Sequence, residues 1–154
     1  MKKLLLVALL FISCSKSDNE GTNQGSLDPI IGDWTIIESG GALNDGETFK
    51  ESMPCSNAQK LHFYQDNLFE LEIWWGDGNG GCDFDRIQEG EWIKTTRSDY
   101  PGANYRLIYY EIPGYLDRET GYPKISFEGN NMTIRYDYEE SSYFKYSYKT
   151  YTRE

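Results

Sequence analysis

Residues 74–85, WWGDGNGGCDFD, include residue types that bind phosphate or calcium in other proteins. Gly76, Gly78 and Gly81 match the G-x-G-x-x-G spacing of a nucleotide-binding turn. The same segment offers four oxygen-bearing side chains for a calcium ion: Asp77, Asn79, Asp83 and Asp85. A third interpretation involves no ligand and treats the segment as the glycine-rich loop of a β-hairpin. The elements on either side of the segment decide among the three.

The nucleotide interpretation requires a helix whose N-terminus faces the pyrophosphate. The glycines are instead followed by CDFDRIQEGEW, which continues as a strand. The calcium interpretation is incomplete as well. Gly81 replaces a ligand of the calcium loop, Cys82 stands where its glycine belongs, and Gln88 replaces its bidentate glutamate. An irregular site on the three aspartates stays open, although solvated loop carboxylates are the simpler expectation.

Residues typical of catalytic sites are sparse. The single histidine, His62, alternates with Leu61 and Phe63, so we expect it to face away from the core. The sequence contains no G-x-S-x-G elbow and no H-E-x-x-H motif. Glu89 and Glu91 share one strand face, which is typical of a solvated surface. The sequence therefore predicts neither an enzyme nor a cofactor site.

Composition limits the partners. The chain has 154 residues, which is enough for one domain with a real core. Aromatic residues make up 16% of the chain, and 13 of them are tyrosines, which favours a folded β protein. The net charge of −10 repels phosphate backbones and anionic lipid surfaces, so nucleic-acid binding is not expected.

The N-terminus has the features of an export signal. Two lysines precede an apolar run at residues 4–12, which is too short to span a bilayer. Phe11-Ile12-Ser13-Cys14 resembles the lipobox of bacterial lipoproteins, in which the cysteine receives acyl chains, palmitate among them. The resemblance implies a signal peptide at residues 1–13 and a lipid anchor on Cys14. Because Ser15 follows, it also implies an outer membrane lipoprotein of the cell envelope, facing the periplasm or the cell surface.

A polar, glycine-rich stretch separates this cysteine from the rest of the chain. Residues 14–29 are predicted to hold the lipidated cysteine and a flexible tether that spans on the order of 20 Å. Residues 30–154 are predicted to form one β domain.

In that domain apolar and polar residues alternate repeatedly, and turn residues separate the runs. No run has a sustained helical period. Eight strands are predicted, at residues 30–39, 60–65, 68–75, 86–95, 104–112, 123–128, 131–138 and 143–152.

Eight antiparallel strands joined mostly in sequence predict an all-β, up-and-down barrel, with a two-sheet sandwich as the competitor. In a meander the connections alternate between the two ends. One end would receive the long loops at residues 40–59, 76–85, 112–121 and 139–142. The other end would be closed by shorter turns at residues 66–67, 96–103 and 129–130.

Gly32-Asp33-Trp34 in the first strand resembles the G-x-W signature of the lipocalins. Together with a second G-x-W at residues 90–92 and a cysteine before each of two strands, it is similar to lipocalin-like domains of bacterial lipoproteins. The resemblance implies an eight-stranded barrel in which Trp34 packs at the closed end against an arginine of the last strand. Arg153 would lie at that end, so Gly32, Trp34 and Arg153 are the expected structural residues.

Two cysteines remain if Cys14 is lipidated. Cys55 precedes the second strand and Cys82 follows the third, so strand parity places both at the long-looped end. In an oxidising compartment they predict a Cys55–Cys82 disulfide that ties two mouth loops together.

An eight-stranded barrel can hold a small apolar or amphipathic molecule. The predicted lining consists of aromatic residues near the mouth: Trp75, Tyr109 or Tyr110, Tyr136, Tyr138 and Phe144. In the last strand this expectation turns the aromatic set inward and Lys145 outward.

The alternative is a non-enzymatic envelope protein that binds a protein or glycan through outward aromatics such as Trp74, Tyr143 and Tyr151. A vacant interior of roughly 300 Å³ or more would favour the small ligand, and a filled barrel would favour the outer surface.

Overall fold

The computed structural model describes residues 27–51, 55, 59–111, 118–139 and 143–154. The predicted signal peptide, the lipidation site Cys14 and most of the tether lie outside these ranges. Within the described ranges every regular element is a β-strand, which confirms the all-β prediction. The same ranges contain no helix that is long and apolar enough to cross a membrane.

Ten strands form a single antiparallel sheet. Each of the eight predicted strands has a counterpart, and β2 and β7 are additional strands of three residues each. The strands are β1 Gly32–Leu43, β2 Thr48–Lys50, β3 Lys60–Phe63, β4 Leu68–Gly76, β5 Cys82–Lys94, β6 Tyr105–Tyr109, β7 Glu119–Gly121, β8 Lys124–Glu128, β9 Asn131–Asp137 and β10 Phe144–Arg153.

Strand order follows the chain around the sheet. Nine strands lie in the order β7-β6-β5-β4-β3-β1-β10-β9-β8, and β2 pairs with β1 beside this path. The first and last long strands, β1 and β10, are direct neighbours. Side chains from both ends of the path meet in one buried cluster, which includes Leu107 of β6 and Ile125 of β8. The sheet is therefore curled into a barrel-like form around a single core.

Trp34 and Arg153 mark one end of this curl. They are register partners in β1 and β10, and Trp34 is 1% exposed. The Arg153 guanidinium carbon lies 4.5 Å from the centre of the Trp34 ring system. Arg153 also donates a hydrogen bond of 2.6 Å to the Pro29 carbonyl, and the Trp34 indole N–H donates one of 2.8 Å to the Ile30 carbonyl. Gly32 has a φ of 139°, a backbone conformation that residues other than glycine rarely adopt.

The hairpin between β4 and β5 is tighter than the sequence suggested. The loop predicted at residues 76–85 is mostly strand, because Cys82 pairs with Gly76, Asp83 with Trp75 and Phe84 with Trp74. The predicted loop was too long, because the aspartates and glycines of this segment interrupt the apolar–polar alternation by which a strand is recognised. Only residues 77–81 form the turn.

A bulge in β1 changes which side chains face the core. Ile36 pairs with Tyr151, but the next register pair is Glu38 with Thr150. The extra residue, Ile37, is 50% exposed. Beyond the bulge Ser39 faces inward and is 3% exposed, whereas strict alternation from Trp34 predicts that Glu38 does.

Candidate functional site

The inner face of the curled sheet encloses a cavity of about 170 Å³. Its apolar wall is formed by Leu61, Phe69, Leu71, Leu107 and Ile134. Its polar wall includes Ser39, Glu51, Tyr109, Tyr136, Ser147 and Lys149. The register does not separate the two kinds of wall, because Lys149 pairs with Ile134 as well as with Ser39. Leu61 is level with Trp34 near the end marked by Arg153, whereas Lys149 pairs with Ser39 further up β1.

A second, more open pocket of about 410 Å³ adjoins the cavity at the opposite end of the strands. Glu51, Leu71 and Lys149 line both spaces, and the second adds Cys55, Trp75 and Arg86. We call this second pocket the mouth. The inner cavity is smaller than the vacant interior of 300 Å³ set above for a binding barrel, and the larger mouth is open rather than interior.

The disulfide Cys55–Cys82 is present, as predicted. Its Cα atoms are 5.7 Å apart, and Cys55 is 4% exposed. Because Cys82 begins β5 and Cys55 lines the mouth, the bond joins the β4–β5 hairpin to the chain that follows β2.

Lys149 and Glu51 are the charged residues among those that line the cavity. Both residues are exposed, and both also line the mouth. Burial lowers the pKa of the Lys149 ammonium, and the negative charge of Glu51 opposes this shift. Glu51 itself is exposed and accepts a hydrogen bond of 2.5 Å from the Ser39 hydroxyl.

Two phenols face each other across the interior. The hydroxyl oxygens of Tyr109 on β6 and Tyr136 on β9 are 3.2 Å apart. Burial raises the pKa of both phenols above the ordinary value for tyrosine, and it does the same for Tyr151 beside them. All three are therefore neutral at physiological pH. They offer hydroxyl groups and ring faces to the cavity rather than charge.

Three of the predicted ligand-binding residues lie in these two spaces. Tyr109 and Tyr136 line the cavity, and Trp75 lines the mouth, where it is 58% exposed. The choice between Tyr109 and Tyr110, which the sequence left open, falls on Tyr109. Tyr110 points outward and its hydroxyl donates a hydrogen bond of 2.9 Å to Glu91.

The other predicted residues lie elsewhere. Tyr138 stands at the rim, 45% exposed, with its hydroxyl 2.8 Å from that of Ser147. Phe144 is also at the rim, where its ring centre lies 5.6 Å from that of Phe49. The alternative that used Tyr151 as an outward aromatic is wrong at that residue, because Tyr151 is 3% exposed and lines the cavity.

Sequence reasoning missed Ser39, Glu51 and Lys149. The sequence predicted that Ser147 and Lys149 of β10 face outward. That prediction was wrong, since both face inward beside Tyr151. A bulge opposite Ala42 and Leu43 explains the error, because it reverses the alternation between Phe144 and Tyr146. Counting the alternation back from Tyr151 as a core residue would have found Lys149.

The hairpin of residues 77–81 uses its aspartate and glycines for its own turn. One carboxylate oxygen of Asp77 accepts hydrogen bonds from the backbone N–H groups of Asn79 at 2.7 Å and Gly81 at 2.8 Å. Gly78 and Gly80 have φ values of 79° and 89°. These contacts explain the segment as a hairpin loop. Among the described residues no group of three or more His, Cys, Asp or Glu side chains is arranged to hold a metal ion.

His62 lies on the outer face of β3, between the core residues Leu61 and Phe63. Its Nδ1 atom is 2.7 Å from a carboxylate oxygen of Asp33, and its Nε2 atom is 3.9 Å from one of Glu72. This cluster is remote from the cavity, whose wall includes none of the three residues.

Comparison of the chain with protein-family models, with curated proteins and with solved structures finds no match in any of the three.

Proposed function

We propose that this protein is a lipocalin-like lipoprotein whose barrel binds a small apolar or amphipathic molecule and catalyses no reaction. The observation that carries the proposal is the cavity of about 170 Å³ beneath a mouth of about 410 Å³. Apolar side chains, with hydroxyl groups and the Lys149 ammonium beside them, suit a guest with an apolar body and a polar head. No cofactor is part of the proposed role.

The proposal includes an eight-stranded closed barrel. β7 and β8 run in the same direction, pair with β6 and β9 respectively, and are separated only by Tyr122 and Pro123. A single bent strand over residues 119–128 would thus bridge the two ends of the sheet. The Asn104 side chain supports the bridge, since it exchanges hydrogen bonds of 2.6 and 2.7 Å with the backbone of Ile125.

We also propose that Cys14 carries a lipid anchor in the outer membrane. The described chain enters beside Trp34, where the Tyr105 hydroxyl donates a hydrogen bond of 2.6 Å to Asp28. A tether attached at this end would leave the mouth free to receive a guest. Labelling with a fatty-acid probe should tag the wild-type protein but not the variant Cys14→Ser, and equal labelling of both would contradict the anchor.

The binding proposal is tested by calorimetry of the purified full-length chain with short-chain alcohols and acids. We expect saturable binding with one site per chain. Tyr136→Glu should abolish it, because the variant puts a charge into the cavity wall. Trp75 in the mouth should also report binding by fluorescence more strongly than Trp34 in the core.

Lys145→Glu is the matched control, because Lys145 is exposed and lines neither the cavity nor the mouth. It should bind as the wild type does. If no member of the ligand series binds saturably to folded protein, the cavity is not a binding site. The outer surface would then become the place to look for function.

A further inference from the structure

The size of the cavity limits the guest. An apolar cavity of about 150 Å³ is known to hold one benzene molecule. The cavity described above, at about 170 Å³, is close to this size. It therefore holds a single six-membered ring or a short acyl chain. A long fatty acid would extend most of its length into the mouth and solvent.

The charges around the cavity are not equivalent. Glu51 is exposed and already accepts the Ser39 hydroxyl. Arg86 lines only the mouth and forms an ion pair with Asp85. Lys149 is exposed as well, but it lines both the cavity and the mouth, and burial of its ammonium group lowers its pKa. An ammonium that has lost part of its hydration gains more from a nearby anion than a lysine in bulk water does.

The phenols on the wall do not compete for this position. Tyr109 and Tyr136 hydrogen-bond to each other, and both are neutral at physiological pH. Their rings, with those of Phe69 and Tyr151, would contact the body of the guest.

From this arrangement we propose that the guest is a small monocarboxylate, with its carboxylate at Lys149 and an apolar body of about one ring or six carbons in the cavity. The inference rests on the proposed binding function and adds to it the charge and size of the ligand. An amine of the same shape is disfavoured, because its charge would face the Lys149 ammonium.

The test compares hexanoate, hexanol, hexylamine and dodecanoate by calorimetry on the purified full-length chain. Hexanoate should bind about tenfold more tightly than hexanol, and hexylamine should bind most weakly. Dodecanoate should gain little over hexanoate, because its extra carbons leave the cavity. Lys149→Met should lower the affinity for hexanoate about tenfold and leave the affinity for hexanol unchanged. The control Lys145→Met should change neither affinity.

The possible failures are distinguishable. If none of the four compounds binds, the binding function itself is wrong. If hexanol or hexylamine binds as tightly as hexanoate, binding stands and the carboxylate inference is overturned. If dodecanoate binds far more tightly than hexanoate, the size limit is overturned. The series on the wild type decides these points even if Lys149→Met fails to fold, which circular dichroism would detect.

Discussion

Lys149 places a positive charge on the wall of the cavity. It lies on the inner face of β10 between Ser147 and Tyr151, and it is level with Ile134 of β9. Burial disfavours the charged form of its ammonium, and solvent exposure and the charge of Glu51 reduce this cost to the folded state.

Lys149→Met should therefore raise stability slightly, by on the order of 2 °C in melting temperature at neutral pH. The pKa of Lys149 is lower in the folded than in the unfolded state, so unfolding takes up a proton at alkaline pH. The free energy of unfolding of the wild type should therefore rise relative to that of Lys149→Met as the pH rises towards the ordinary lysine pKa of about 10.5. Melting curves of both proteins at several pH values measure this, and a variant less stable than wild type at pH 7 would contradict it.

Arg153 stabilises the opposite end of the strands through two contacts, its stacking on Trp34 and its hydrogen bond to Pro29. Arg153→Ala should cost about 1 to 2 kcal/mol in urea unfolding. Lys50→Ala is a suitable control, because its side chain is 71% exposed and its ion pair with Glu38 is solvated. The control should cost less than about 0.5 kcal/mol. Equal losses of unfolding free energy in the two variants would contradict this role of Arg153.

Individual side chains were predictable where a strand is regular. Phe69 and Leu71 on β4, and Met132 and Ile134 on β9, face the core as their alternation indicates. Inward orientation failed near bulges, because one extra residue reverses every side chain beyond it. Ser39 and Lys149 follow such irregularities, and nothing in their own chemistry marks them as interior residues.

Among the strands, the long ones were predictable and the short ones were not. A strand of three residues, such as β2 or β7, is too short to establish a period of two. The prediction therefore assigned residues 40–59 and 112–121 to loops, although each contains one of these strands. The bend at Tyr122 and Pro123 was equally hidden, because the run that starts at Pro123 resembles an independent strand.

Next to the contact between β6 and β8, Asn104 forms hydrogen bonds through its side chain to Ile125 and through its backbone N–H to Pro123. Asn104 takes the place of a strand ladder there by bonding to both the N–H and the carbonyl of Ile125. Asn104→Ala should cost about 2 to 3 kcal/mol, because it leaves two partly buried backbone groups without these bonds. Ser126→Ala, at an exposed position of β8, should cost less than about 0.5 kcal/mol.

Hydrogen exchange locates the effect of this change. In Asn104→Ala the amide of Ile125 should exchange faster, since its hydrogen bond to Asn104 is lost, and the rest of β8 should follow if the contact opens as a unit. Amides of β3 should keep their order of protection. If exchange at Ile125 is unaltered, the contact between β6 and β8 does not depend on Asn104.

In the whole molecule, the two ends of the barrel-like sheet are stabilised differently. Core packing around Trp34 closes one end, whereas the mouth is bounded by a hairpin and by the chain after β2, which the disulfide joins. The parity of the strands predicted that the disulfide-linked loops lie together at the end opposite Trp34. The polarity of the cavity depends on the bulges of β1 and β10 and on Glu51, so alternation alone did not reveal it.

The disulfide should therefore matter for both stability and binding. Its two cysteines are separated by 27 positions, and closing a loop of this length stabilises a fold by about 3 to 4 kcal/mol in the chain-entropy model. The double variant Cys55→Ser, Cys82→Ser should lose that amount in urea unfolding. It should also bind hexanoate more weakly, because the disulfide no longer joins the β4–β5 hairpin to the chain that follows Glu51. Reductant should bring the wild type to the stability of the variant and leave the variant unchanged, whereas a wild type that is equally stable with and without reductant would show that the bond does not hold the mouth.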